Sequence, residues 1–305
     1  MSLHRALAAY LRIRRALGFK LEQAGRILPD FLRYLDERGL SHVTTAAALA
    51  WATLPRDAQP PWWRVRLFMV RGFAKYLHTL DPRSEIPPPD LLPPSRGRSK
   101  PYVYSPEDLR ALLSATDTLG APISIATYRT LLGLLAVTGM RVGEVIALDD
   151  GDFHRRRGVL VVRQAKFGKS RAIPLHASTV RALERYQRER DRAVPCRKTS
   201  SLFVSRRGTR LFSQNVRRAF SQVVHAAGLD DRKPRPTMHD MRHSFAIRTV
   251  LDWHRARIEV EARLPLLSTY LGHASPSSTY WYLTAAPELL EAAALRLARY
   301  SRVDP

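Results

Sequence analysis

A proline-rich segment divides the sequence and sets the strongest limit on its fold. Residues 85–101 read EIPPPDLLPPSRGRSKP, with five prolines between positions 87 and 94 and then a basic Gly/Ser run. Proline has no backbone N–H and disfavours helix in the residue before it, so no helix or central strand continues through this segment. We therefore expect one domain at residues 1–85, an extended linker at residues 86–101 and a second domain at residues 102–305.

The first domain is predicted to be entirely helical. Apolar residues recur at helical spacing in four stretches, around residues 7–17, 27–35, 46–54 and 65–80. Thr44 or Thr45 is suited to cap the third helix. In the fourth stretch basic side chains alternate with apolar ones, as on a helix that packs on one side and meets phosphate on the other. The candidate DNA contacts there are Arg64, Arg66, Arg71 and Lys75. A solvated basic face is the alternative interpretation.

The second domain combines further helices with a short sheet. Ser105 and Pro106 form a helix-start signature, and an apolar helix is expected to end near Gly139. GVLVVRQ and SRAIPL have the composition of strands and flank the turn AKFGK. More helices are predicted at residues 177–192, 213–227, 239–252 and 287–300. The expected fold class is mainly α with a small antiparallel β-sheet.

The charge of the chain predicts a polyanionic partner. Fifty Lys and Arg against 27 Asp and Glu leave a formal charge of +23. Residues 1–95 contain 14 basic and 8 acidic residues, a net +6, and the remainder contains 36 and 19, a net +17. Because both parts are basic, both are expected to contact nucleic acid. A coding bias towards Arg and Ala is the alternative explanation.

The sequence gives no support for a membrane-bound or secreted protein. No run of 18 apolar residues and no lipidation signal occurs, and arginines interrupt the apolar positions at the N-terminus, unlike in a signal peptide. A lone cysteine, Cys196, excludes a disulfide framework within the chain. We therefore expect a cytoplasmic protein that does not act at a membrane.

Four separated stretches contain groups suited to one phosphodiester. They are TGMRVGEV, RQAKFGKSRAIPL, MHDMRHSF and LGHASPSSTYWYL. Their order and spacing resemble the tyrosine site-specific recombinases of the phage integrase family, and TYWYLTAAPELL is similar to integrases associated with mobile elements. The resemblance implies an N-terminal helical core-binding (SAM-like) domain, a linker and an α+β catalytic domain that cleaves and rejoins double-stranded DNA.

The resemblance assigns a role to each group. Arg141 and Arg242 would hold the non-bridging oxygens of the scissile phosphate, with Glu144 orienting Arg141. His239 would act as general acid or base, and His273 would donate a hydrogen bond to the phosphate. Lys166, the first lysine of the pattern K-x-x-K-x-R, would be the general acid, whereas Lys169 would make an ordinary phosphate contact. The family needs no cofactor, metal or ATP.

The pair Tyr280 and Tyr282 offers only one nucleophile. Residues two apart on a helix point about 200° away from each other, so only one of the two rings can reach a given phosphorus atom. The family places its nucleophile nine residues after the His of LGH, which is Tyr282. Tyr280 is then a packing residue.

Three motifs that suggest other sites are weaker. His239 and His243 have the spacing of a helical zinc site, but the H-E-x-x-H glutamate is missing and Arg242 stands between them. GKS at residues 168–170 lacks the upstream glycine of a P-loop. DDGD at residues 149–152 is interpreted as a turn into the first strand rather than a cation site.

Two other functions remain compatible with the resemblance. A type IB topoisomerase would use the same phosphate chemistry as a monomer, and a non-catalytic DNA-binding protein would use only the fold. The recombinases act as a homodimer on each site and a homotetramer in the synapse, sometimes with accessory proteins. A C-terminal helix at residues 287–300 that docks on a neighbouring subunit would favour the recombinase.

Overall fold

A computed structural model describes residues 2–55, 58–93, 101–163, 170–272 and 280. The chain separates into two compact units, residues 1–98 and 99–305. Within the described residues, no helix is long and apolar enough to cross a bilayer.

Four helices build the N-terminal unit: α1 (Leu3–Ala16), α2 (Glu22–Asp36), α3 (Thr45–Thr53) and α4 (Pro60–His78). They pack around a core that includes Leu28, Phe31, Trp51 and Phe73, all at most 1% exposed. The hydroxyl of Thr44 accepts a hydrogen bond from the amide of Ala47 and so caps α3, one of the two alternatives predicted. All four predicted helices are present.

The first half of the proline-rich segment packs on this unit. Leu91 and Leu92 contact its core, and the carbonyl of Pro87 accepts a hydrogen bond of 2.7 Å from Nε of Arg71. Residues 87–92 are therefore docked on the N-terminal unit, and only residues 94–100 of the expected linker lie outside the described residues.

Seven helices are described in the second unit: α5 (Pro106–Ala115), α6 (Pro122–Thr138), α7 (Val142–Ala147), α8 (Ala177–Ala193), α9 (Ser213–Ala226), α10 (Met238–Arg255) and α11 (Val260–Leu271). Ser105 caps α5, as the sequence predicts, and Asp108 completes a capping box with it. α6 is the central helix, packed against α8 and α10. α11 was not predicted, and residues 287–300 lie outside the described residues.

A three-stranded antiparallel sheet lies beside these helices. β1 (Phe153–His154), β2 (Val159–Val162) and β3 (Arg171–Pro174) are in sequential order, with Leu160 paired to both Phe153 and Ile173. Leu160, Val162 and Ile173 are buried in the core, so one face of the sheet packs on the helices. Two of the strands were predicted, and the short β1 follows the turn at Asp150–Asp152.

Candidate functional site

The site forms where the ends of α6 and α11 meet the starts of α7 and α10. α6 and α11 both end in a left-handed glycine, Gly139 with φ +61° and Gly272 with φ +67°. An added Cβ at Gly139 would lie 2.6 Å from Cδ1 of Phe245, so only glycine fits there. These two endings expose backbone carbonyls to the guanidinium groups of the site.

Arg242 is anchored inside the unit by two of those carbonyls. Its side chain is 1% exposed; Nη1 donates to the carbonyl of Gly139 at 2.8 Å and Nη2 to that of Leu271 at 2.6 Å. Arg242 belongs to α10, whose N-terminus is fixed by a capping box between Thr237 and Asp240. Its guanidinium group is thus fixed in position.

Arg141 is the N-cap residue of α7 and lies beside Arg242. Its Nη2 donates to the carbonyl of Gly272 at 3.1 Å, the residue after the Leu271 that holds Arg242. Its Nη1 donates to Oε1 of Glu144 at 2.9 Å, and its side chain is 30% exposed. Two guanidinium groups therefore rest on successive carbonyls, one buried and one open to solvent. Such a pair can neutralise the charge of a phosphate.

Glu144 accepts hydrogen bonds from Arg141, the residue that it is predicted to orient, and it has a second partner. Oε1 and Oε2 also accept hydrogen bonds from Nη1 and Nη2 of Arg171, at 3.1 Å and 2.7 Å. Burial alone would raise the pKa of Glu144, but the hydrogen bonds from Arg171 and Arg141 outweigh it and hold that pKa below its ordinary value. The carboxylate is thus ionised between two arginines.

The sequence analysis gave no role to Arg171, the last residue of the K-x-x-K-x-R pattern. It begins β3, and its Nε donates to the carbonyl of Tyr270 at 2.8 Å. Tyr270 stacks on Phe245, and burial raises its pKa to about 12 despite the opposing charges of Arg171 and Arg242. Tyr270 therefore stays protonated near neutral pH.

His239 lies one helical turn before Arg242 on the exposed start of α10. Its ring meets that of His243 edge to face, with centroids 4.5 Å apart. It also lines a cavity of about 410 Å³ together with Val142, the neighbour of Arg141, and with Arg217 and Arg235. These two exposed arginines are further basic groups beside the site that the sequence analysis missed.

Four predicted site residues lie outside the described residues: Lys166, Lys169, His273 and Tyr282. Tyr280 is described and is 49% exposed. Among the described residues, no group of three or more His, Cys, Asp or Glu side chains is arranged to hold a metal.

The basic residues of α4 differ from one another in their surroundings. Lys75 is exposed and lines a groove of about 430 Å³ with Arg14, Arg71 and the exposed Phe68. Arg64 is half-buried. Arg71 holds Pro87, as described above.

Arg66 requires a correction. It is 8% exposed, donates from Nη2 to the carbonyl of Trp51 at 2.9 Å and stacks on the Trp51 ring at 3.7 Å. These contacts make Arg66 part of the packing around Trp51 in the N-terminal core, which contradicts the expected phosphate contact; burial also lowers its pKa.

The acidic run DDGD binds arginines. Asp149 pairs with Arg210, Asp150 with Arg190 and Arg197, and Asp152 with Arg163. Burial would raise the pKa of Asp150, but its hydrogen bonds from Arg190 and Arg197 hold it below the ordinary value. The run is a structural element that fixes the turn before β1.

Comparison with known proteins identifies the family. The model of the phage integrase family matches residues 103–288. A Sinorhizobium fredii protein named "Putative integrase/recombinase y4rB" is 43% identical over 304 residues, which cover 96% of this chain and 96% of that protein. Tyrosine recombinase XerD of Pseudomonas putida is 34% identical over 249 residues, 80% of this chain and 77% of its own length.

Solved structures share the fold. The Tn1549 transposon integrase in complex with transposon right end DNA superimposes with a TM-score of 0.67 at 19% identity, covering 98% of this chain and all of that one. A lambda integrase tetramer bound to a Holliday junction gives 0.61 at 19% identity, covering 90% and 78%. These matches confirm the predicted fold class of a mainly helical protein with a small antiparallel sheet. The chain belongs to the phage integrase family and is a tyrosine recombinase.

Proposed function

We propose that this recombinase exchanges strands between specific sites on double-stranded DNA through a covalent 3′-phosphotyrosyl intermediate and a Holliday junction. The observation that carries the proposal is the pair Arg141 and Arg242, held on the successive carbonyls of Gly272 and Leu271. The next residue in the chain is His273 of the LGH motif. Two fixed guanidinium groups match the charge that develops on a phosphorane.

In the proposed first step, the Oη atom of Tyr282 attacks the scissile phosphorus and the bond from phosphorus to the 5′ oxygen breaks. Lys166 protonates the departing 5′ oxygen, and His239 takes the proton of the tyrosine hydroxyl. Arg141, Arg242 and His273 hold the non-bridging oxygens. The phosphotyrosine ester conserves the energy of the broken bond, so the reverse attack by a 5′ hydroxyl needs neither ATP nor a metal.

The partners follow from the same proposal. Both units are basic. The proposed backbone contacts are the exposed Lys75 and the partly buried Arg14, which line one groove of the N-terminal unit, together with Lys169 of the catalytic unit. The chain acts as a homodimer on one site and a homotetramer in the synapse, and residues 287–300 join neighbouring subunits. Structures of a lambda integrase dimer on a core site and of a tetramer on a Holliday junction support this assembly.

The test is covalent trapping on a nicked suicide site made from inverted repeats in the DNA that flanks the gene. Wild type and Tyr280→Phe should form a complex that survives denaturation, whereas Tyr282→Phe should form none. Peptide mapping should find the DNA on Tyr282. Linkage to Tyr280 would reassign the nucleophile, and the lack of any covalent complex would contradict the proposal. Relaxation of plasmids without cognate sites would instead identify a topoisomerase.

A further inference from the structure

Arg141 and Arg171 bind the same carboxylate in different ways. Arg171 pairs with Glu144 through two parallel bonds, Nη1 to Oε1 at 3.1 Å and Nη2 to Oε2 at 2.7 Å. Arg141 makes only one side-chain bond to it, Nη1 to Oε1 at 2.9 Å, while its backbone amide donates to Oε2 at 2.9 Å. Each carboxylate oxygen thus accepts two hydrogen bonds.

This arrangement is unusual for a nearby arginine and glutamate, because an Arg–carboxylate pair favours the two-bond geometry. Arg141 and Glu144 are only three residues apart and would reach that geometry by themselves. Arg171 already makes this two-bond pair with the carboxylate of Glu144. The guanidinium group of Arg141 is therefore left with one bond to Glu144 and one to the carbonyl of Gly272.

Each guanidinium nitrogen of Arg171 already donates to an acceptor of the protein rather than to a DNA phosphate. Its side chain is 12% exposed and that of Glu144 is 9% exposed. Nε is used by the carbonyl of Tyr270, and an added Cβ on Gly272 would lie 3.0 Å from Nη1 of Arg171. The guanidinium group lies flat against this glycine, enclosed between β3, α7 and the end of α11.

We propose that Arg171 is a positioning residue that occupies Glu144 and thereby keeps Arg141 available for the scissile phosphate. The inference rests on the proposed role of Arg141 as a phosphate ligand. Without Arg171, Arg141 rotates into a two-bond pair with Glu144. Its N–H groups then face the carboxylate instead of the DNA, and the negative charge of Glu144 is no longer shared with a second cation.

A single and a double variant test the role of Arg171 through their cleavage rates. Arg171→Met should slow single-turnover cleavage at saturating enzyme about 10- to 100-fold, as expected for a displaced catalytic group. Adding Glu144→Gln to Arg171→Met should restore the rate about tenfold, because a neutral amide with one acceptor oxygen cannot hold Arg141 in two bonds. Affinity for the DNA site should change little. Thermal melts identify temperatures at which every variant is folded.

Arg156→Ala is the matched control, because it removes the same charge from the same sheet region. Arg156 is exposed and lies between β1 and β2. This variant should leave the saturated cleavage rate unchanged. If the double variant cleaves more slowly than Arg171→Met, or if Arg171→Met cleaves like wild type, the proposal is wrong.

A second measurement separates this proposal from the proposed function. Inorganic phosphate bound by Arg141 should raise the melting temperature of the wild-type chain. The increase should be lost in Arg171→Met and regained with Glu144→Gln, whether or not the chain forms a covalent complex. If wild type does not cleave DNA but shows this pattern, only the proposed function fails. Equal phosphate responses in wild type and Arg171→Met would overturn the role of Arg171.

Discussion

Replacing Gly139 with alanine tests how the end of α6 positions the site. Gly139 has φ +61°, and its carbonyl holds Nη1 of Arg242 at 2.8 Å. A left-handed conformation costs a non-glycine residue about 1–2 kcal/mol. The new Cβ would lie 2.6 Å from the ring of Phe245 and 3.1 Å from Leu271, and overpacking of this kind costs about 1–3 kcal/mol. The sum is about 2–5 kcal/mol of lost stability.

For a unit of this size, such a loss lowers the melting temperature by about 4–20 °C. Gly133→Ala is the matched control, since it lies in the same helix and its added Cβ would meet nothing within 4 Å. Alanine is favoured over glycine inside a helix by about 1 kcal/mol, so this variant should melt slightly higher than wild type. Melts followed by circular dichroism and by calorimetry give both values. If Gly139→Ala melts within about 2 °C of wild type, the argument from strain and packing is refuted.

Four further predictions concern chemistry and charge. Lys166→Ala should cleave normal DNA very slowly but cleave a 5′-bridging sulfur substrate nearly as fast as wild type, because a thiolate leaves without protonation. Lys169→Ala should show a modest defect on both substrates. The opposite pattern would exchange the roles of the two lysines. The pKa of Glu144 is held below the ordinary 4.5, so the ionised carboxylate stabilises the fold above pH 4.5 and this contribution is lost as the pH falls through the lowered pKa. Urea unfolding of wild type and Glu144→Gln should therefore converge as the pH falls below 4.5. Lys75→Ala should reduce the salt dependence of DNA binding by about 0.9 in the logarithmic slope, whereas Arg66→Met should lower the melting temperature and leave that slope unchanged. Covalent complex formation should persist in EDTA, and a strict requirement for added magnesium would contradict the arginine-based mechanism.

Local signals in the sequence predicted much of the fold. Ser105 and Thr44 are N-caps because a short side-chain oxygen before an apolar period satisfies helix amides wherever the helix packs. α11 contains Pro265 and was not predicted, whereas the α2 region was predicted as helix although it contains Pro29. β1 has only two residues, too few for an alternating pattern to emerge.

The site was less predictable because its contacts are distant in sequence. Arg66 shares the basic pattern of α4 but stacks on Trp51, which no periodicity within α4 indicates. Arg171 is visible in its motif, yet its effect depends on Glu144, 27 residues away, and on Tyr270, 99 residues away. Sequence spacing supplied the candidate groups, and the structure shows how the described ones, Arg141, Glu144 and Arg242, are held.

The anchoring of three arginines on main-chain oxygens bears on how such a recombinase can diverge. The carbonyls of Tyr270, Leu271 and Gly272 exist whatever side chains these positions carry, so substitutions there do not delete an acceptor. The path of the backbone, set by the left-handed Gly139 and Gly272, places these acceptors, and no acceptor side chain is involved. A substitution that leaves this backbone path unchanged therefore leaves the acceptors of all three guanidinium groups in place.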